Sequence, residues 1–141
     1  MMQVQPYLLF EGRCEEAIEF YKRAVGAEVE MVMRYKDNPE PPRDPAMVPP
    51  NSADKVMHAA FHIGSTSILA SDGRCSGTAP FEGFGLALYA EDDAGAERLF
   101  DALGNGGQVR QPMVTTFFSS RFGMVADRFG VLWMVLVETT R

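Results

Sequence analysis

The chain is short of the residues that most often announce chemistry. Of its 141 residues only two are cysteine, two histidine and one tryptophan. Cys14 and Cys75 are too few and too far apart for a zinc knuckle or a CxxC redox pair, and neither has a sequence partner that would make it a nucleophile. No apolar run approaches the ~18 residues of a membrane span. The start, Met1-Met2-Gln3-Val4-Gln5-Pro6, lacks the basic residues and apolar stretch of a secretory signal, so a cytoplasmic location is expected. Positive charge is also scarce. Thirteen Lys and Arg against nineteen Asp and Glu leave a net charge of −6, which argues against nucleic acid or an anionic membrane as partner. There is no P-loop, no Ser-His-Asp arrangement and no paired-carboxylate spacing.

What is present is periodicity. Cys14, Ala17, Ile18, Tyr21 and Val25 mark one apolar helical face, with Glu15 and Glu16 at its start, Lys22 and Arg23 near its end, and Gly26 as terminator. Ala96, Leu99, Phe100 and Leu103 mark a second, capped by Asp92 or Asp93 and stopped by Gly104-Asn105-Gly106-Gly107. Strands are expected over 4–10, 27–35, 55–63, 65–71, 84–90, 108–116, 121–126 and 131–137. Residues 37–54 hold six of the nine prolines with little periodicity, and read as a lid or a mobile linker. The order is βαβββ twice, and the halves echo each other. A shift of 79 places Phe10 on Tyr89, Ala17 on Ala96 and Tyr21 on Phe100. We therefore expect one α+β domain of two βαβββ modules, about 1–75 and about 80–141, whose curved mixed sheet forms a cup.

Three stretches sharpen this reading. They are Pro6-Tyr7-Leu8-Leu9-Phe10 running into Ala17-Ile18-Glu19-Phe20-Tyr21, then Met57-His58-Ala59 through Gly64 to Leu69-Ala70-Ser71-Asp72, and Thr116-Phe117-Phe118-Ser119-Ser120-Arg121-Phe122-Gly123 followed by Asp127-Arg128-Phe129-Gly130-Val131-Leu132-Trp133. Together they resemble the vicinal-oxygen-chelate (glyoxalase/bleomycin-resistance/dioxygenase) superfamily. Within it, the pattern is similar to the PhnB-like branch, also labelled 3-demethylubiquinone methyltransferase-like. The resemblance implies a homodimer and, in the superfamily's enzymes, a divalent metal held by two ligands from each half. The matching positions here fall on Pro6, about Phe84, Met134 and the stretch Ile68 to Ala70. None carries the usual His or Glu, so no metal or other cofactor is expected. Methyl transfer is not expected either, because the glycine cluster at 104–107 follows a helix rather than a first strand.

The candidate residues are then those of a small-molecule pocket. Leu132, Met134 and Leu136 share a face assigned to the cup, as do Pro6, Leu8 and Phe10. His58 and His62 lie on one strand face, but at ~3.3 Å per residue they sit roughly 13 Å apart, too far to share a metal. Asp72 ends a strand at the expected rim, as a functional carboxylate or a turn cap; with His58 on a neighbouring strand it offers an acid–base pair. Phe117 and Phe118 line the cup or form an interface. Arg121 holds an anionic group of the ligand or pairs with an acid such as Glu82 or Asp127. Trp133 alternates away from Met134 and packs beneath a helix. A small-molecule-binding protein is the leading expectation. An enzyme using an atypical metal site or an acid–base pair is the second, and an interaction protein with a residual cup the third.

Overall fold

A computed structural model describes residues 1–40 and 44–138. The chain divides into two compact units, Met1–Ala79 and Pro80–Arg141. The first contains β1 (Tyr7–Leu9), α1 (Cys14–Val25), β2 (Glu28–Arg34), β3 (Val56–Ile63) and β4 (Thr66–Ser71). The second contains β5 (Leu86–Ala90), α2 (Asp93–Gly104), β6 (Gln108–Val114), β7 (Phe122–Ala126) and β8 (Leu132–Val137). Each unit is thus βαβββ, with its sheet ordered β1-β4-β3-β2 or β5-β8-β7-β6. The outer pair β1–β4 or β5–β8 is parallel and the other two pairings are antiparallel. A crossover through a helix is what a parallel neighbour requires, and α1 and α2 begin those crossovers.

Both helices end where their residues demand. Gly26 takes a left-handed conformation (φ 70°) that closes α1, and its N–H bonds the Tyr21 carbonyl. Asp92 caps α2 by accepting the Gly95 N–H at 2.7 Å. Gly107 is fixed by crowding: a Cβ there would overlap the Ala126 carbonyl, so this glycine lets β6 start close against β7.

In each unit the helix covers one face of its sheet. Leu8, Ala59, Ala70, Phe61 and Ile68 lie in paired register on that face, and all are buried. Tyr21 of α1 stacks on Phe61 at 5.9 Å and meets Phe10 at 6.2 Å. In the second unit Trp133, Val125 and Val135 face α2, and the missing side chain of Gly123 makes room for Phe100. Trp133 is therefore a core residue, with its indole N–H held by Asp127 at 2.9 Å.

One expected orientation is reversed. Leu8 and Phe10 do not face the open side; they are 1 % and 2 % exposed beneath α1. The open-side residues of β1 are Tyr7 and Leu9, each 46 % exposed. The expected facing follows from treating Pro6 as a cup position, since alternation then carries Leu8 and Phe10 with it; the superposition of the halves shows a similar one-residue sensitivity. Seventy-nine is right for the helices, where Ala17 and Ala96 are both fully buried, but it sets buried Phe10 on Tyr89, which is 59 % exposed. The strands that flank the helices correspond by eighty, Leu8 with Leu88 and Glu30 with Arg110, and a slip of one residue turns every side chain to the other face.

The proline-rich segment is tied down where it is described. Lys36 pairs with Asp54 at 2.8 Å, Arg34 donates to the Asp54 carbonyl and Ser52 to that of Pro49. Pro41, Pro42 and Arg43 lie outside the described residues.

The two faces of β1 are distinguishable by mutation. Leu8→Ala is expected to cost ~2–5 kcal/mol as a buried truncation, and Leu9→Ala less than about 1 kcal/mol as a half-exposed one. Urea denaturation midpoints measure both, and equal losses would contradict the facing described here.

Candidate ligand site

The open face of the second sheet carries a pocket of about 590 Å³. Leu132, Met134 and Ala126 contribute from β8 and β7, and Phe81, Glu82, Gly83, Phe84 and Gly85 from the extended segment that leads into β5. Gly130 and Arg110 complete it. Phe81 and Phe84 meet edge to face at 6.3 Å. A Cβ on Gly85 would come within 3.2 Å of the Met134 methyl, so the glycine lets that flexible thioether lie across the strand start. The chemistry on offer is an aromatic and thioether surface with charge at its rim, the usual make-up of an organic-ligand pocket.

The described residues do not fit a superfamily-type metal. Pro6 has no donor side chain, and its neighbours Gln5 and Tyr7 offer only an amide and a phenol. Phe84 and Met134 bring a phenyl ring and a thioether, and on its open face β4 offers Ser67, Leu69 and Ser71, none with an imidazole or carboxylate. Hard and borderline divalent ions need carboxylate, imidazole or thiolate donors. Among the described residues, no group of three His, Cys, Asp or Glu lies close enough to hold an ion.

The other sequence candidates fall into separate places. His58 and His62 share the open face of the first sheet. The Tyr7 hydroxyl meets His58 Nδ1 at 3.0 Å, and His62 sits between Glu28 and Glu30 at 3.3 Å from each. Asp72 is not partnered to His58. It is 2 % exposed, and both its oxygens accept backbone N–H groups, of Cys14 and of Val56, at 2.7 Å. Arg13, which precedes α1, gives it no side-chain cap, so Asp72 satisfies the first N–H of that helix from across the fold. An acid–base pair of His58 with Asp72 is therefore replaced by a structural carboxylate.

Arg121 is likewise committed to structure. Its guanidinium bonds Glu97 at 3.1 Å, lies 3.8 Å from Asp93 and donates to the Ser120 carbonyl. The acids are on α2; they are neither Glu82 nor Asp127. Phe117 and Phe118 stand on a braced loop. Thr116 accepts the Ser119 N–H at 3.0 Å, and the Ser119 hydroxyl donates to the Arg121 carbonyl at 2.6 Å. That loop leaves Phe117 98 % and Phe118 41 % exposed. Neither thiol is activated. Burial, then the Asp72 and Glu15 carboxylates, push Cys14 well above the ordinary 9.0, and burial followed by Asp72 also raises Cys75.

A second cavity, of about 390 Å³, lies in the first unit among Glu15, Glu16, Arg34, Asp54, Lys55 and Asp72. Its cations are occupied, Arg34 by Glu15 and Lys55 by the Gly12 carbonyl. It offers a ligand less than the apolar pocket does. The lining side chains that sequence reasoning missed include Phe81, Glu82, which the sequence offered only as an acid for Arg121, and Arg110. Phe81 lies in an irregular segment, and Arg110 is the extra residue of a β-bulge that simple alternation does not show.

With this geometry in place, comparison with known proteins fixes the family. The profile described as 3-demethylubiquinone-9 3-methyltransferase matches residues 2–136. Protein YjdN of Escherichia coli is 34 % identical over 96 % of this chain and 95 % of its own length. The crystal structure of protein PA1353 from Pseudomonas aeruginosa is 38 % identical, with a TM-score of 0.82 over 99 % of this chain and all of that one. A PhnB protein from Bacillus cereus, at 24 % identity, shares the fold with a TM-score of 0.77 over 96 % of this chain and 99 % of that one. This chain belongs to the PhnB-like 3-demethylubiquinone-9 3-methyltransferase family. Its fold is that of the glyoxalase/bleomycin-resistance class, which it shares with members only 13 % identical to it.

The structural role of Asp72 has a direct test. Asp72→Ala leaves two buried N–H groups without acceptors, at ~1–3 kcal/mol each. The expected result is a fall of at least about 2 kcal/mol in unfolding free energy by urea denaturation. A variant of unchanged stability would return Asp72 to the list of functional carboxylates.

Proposed function

We propose that this protein binds a small organic molecule in the second unit's apolar pocket, without the divalent metal of the superfamily's enzymes. The observation that carries this reading is where the second-half metal positions have gone. Phe84 and Met134, which the resemblance aligns with ligand residues, both line the 590 Å³ pocket. An aromatic ring and a thioether there exchange ion coordination for apolar burial. A reading without methyl transfer is supported by the run Gly104-Asn105-Gly106-Gly107, which here ends a helix and permits a close strand contact.

The test uses N-phenyl-1-naphthylamine, a neutral aromatic dye whose fluorescence rises on burial. Saturable binding is expected, and Phe84→Ala should weaken it roughly tenfold, the value of a partly buried phenyl ring. Tyr89→Ala, on the same face but outside the pocket lining, should change it less than twofold. Absence of saturable binding, or indifference to Phe84→Ala, would defeat the proposal.

We further propose that the protein is a homodimer, with the Phe117–Phe118 loop in the contact. A phenylalanine 98 % exposed on a hydrogen-bonded loop costs little entropy to dock and gains apolar burial when it does. Light scattering after size exclusion should give a mass of two 15.6 kDa chains, shifted toward one by Phe117→Ser. A monomeric wild-type protein would refute it.

A further inference from the structure

The pocket just described carries a charge that the rest of the protein leaves unused. Arg110 lines it and, among the described residues, has neither a hydrogen-bond acceptor nor an ion-pair partner. Its position is built rather than incidental. On β6, Val109 pairs with Val125 and Gln111 with Met124, so Arg110 is the extra residue between two adjacent partners. Such a bulge bends the strand and re-aims the side chain that it inserts.

The same device occurs in the first unit. On β2, Val29 pairs with Phe61 and Met31 with Ala60, leaving Glu30 as the inserted residue eighty positions before Arg110. There the charge is answered within the unit. Glu30 lies 3.3 Å from His62 and accepts the Ser67 hydroxyl at 3.1 Å. The second unit repeats the bulge, reverses the charge and supplies no internal partner. An unpaired guanidinium beside Phe81, Phe84, Leu132 and Met134 is a fork for an oxyanion next to a bed for an apolar body.

Glu82 lines the same pocket, and the two charges are not within ion-pair distance of each other. It occupies the irregular segment before β5, whereas Arg110 is held by a paired strand on its bulge. The anchored charge is the better determinant of ligand class. We propose that the ligand is an amphipathic organic anion, with an aromatic or aliphatic body against Phe84 and Met134 and a carboxylate, sulfonate or phosphonate group on Arg110. This inference rests on the pocket reading above and adds the chemical class of the occupant.

Three dyes of similar size separate the possibilities: anionic 8-anilino-1-naphthalenesulfonate, neutral N-phenyl-1-naphthylamine and cationic auramine O. Titrated into the intact protein, the anionic dye is expected to bind roughly fivefold or more tightly than the neutral one, as a charge-assisted contact at a partly exposed site allows. Its affinity should fall with rising salt. Phe84→Ala should weaken both of these dyes, which places them in the pocket. Arg110→Gln, at an exposed position, should weaken the anionic dye roughly fivefold or more, to near the neutral dye's affinity. The neutral dye, which loses only contact with the aliphatic stem, should weaken by less than about twofold. Cooperative urea unfolding of the variant verifies that it is folded. Neutral-dye binding without an anionic preference, or a preference that survives Arg110→Gln, would overturn the inference while leaving the pocket reading intact. Preference for auramine O would overturn it in favour of Glu82. If no dye binds saturably, the pocket reading fails and the inference fails with it.

Discussion

Among the described residues, each four-stranded sheet has a single α-helix to cover it, and that one constraint organises everything else. A twelve-residue helix shields one face of its sheet, and the residues beneath it become core. Leu8, Phe10, Phe61 and Tyr21 in the first unit, and Trp133, Val125 and Phe100 in the second, are the outcome. Among the described residues, no α-helix of the same unit covers the opposite face of either sheet. Residues there keep apolar side chains partly exposed, as with Tyr7, Leu9 and Tyr89. Exposed apolar surface of this kind marks sites of contact with ligand or partner. The pocket of the second unit sits on that remaining face, with Met134 one position along the strand from buried Trp133.

Two buried carboxylates hold the frames. Asp72 ties the first turn of α1 to the start of β3, and Asp127 collects the N–H groups of Phe129 and Val131 together with the Trp133 indole. Both are at most 3 % exposed, and each makes its bonds to groups that would otherwise be buried donors without acceptors. Asp72, at the end of β4, thus reads as a structural carboxylate once its backbone partners are counted.

The element order was legible because both periods are strong here: alternation in the strands, and three-to-four spacing in the helices, with Asp92 marking the start of α2 and Gly26 the end of α1. Facing was less legible. The two halves correspond by seventy-nine in the helices, by eighty in β1/β5 and β2/β6, and by sixty-four or sixty-five in β3/β7 and β4/β8, so no single offset serves them all. Leu8 and Phe10 were expected on the wrong side because a cup-facing Pro6 carries them with it by alternation, whereas Met134 lies on the open face. Arg121 was ambiguous for another reason. Its partners Glu97 and Asp93 are brought near only by tertiary packing of α2, and no spacing along the chain reveals them. Arg110 left no trace in the pattern because a bulge is a departure from pattern.

The substitutions at the superfamily's metal positions are best understood together. Removing one ligand from a four-ligand site leaves three polar groups without their ion, and a buried or half-buried polar remnant is costly. Replacing the set is different. Phe84 and Met134 do not merely lack donors; they supply apolar surface, and Gly85 gives the Met134 side chain space to lie across the strand. Once the ion's charge is gone, a ligand needs a different electrostatic anchor. The bulged strand next to the pocket presents one, and it is a cation, as the lost metal was. Exchange of a coordinated metal for a fixed guanidinium keeps the sign of the field that an anionic ligand meets, while giving up the Lewis acidity that polarises a bond. On the proposed reading, the pocket would recognise an anion through a fixed cation and would not supply a metal's Lewis acidity.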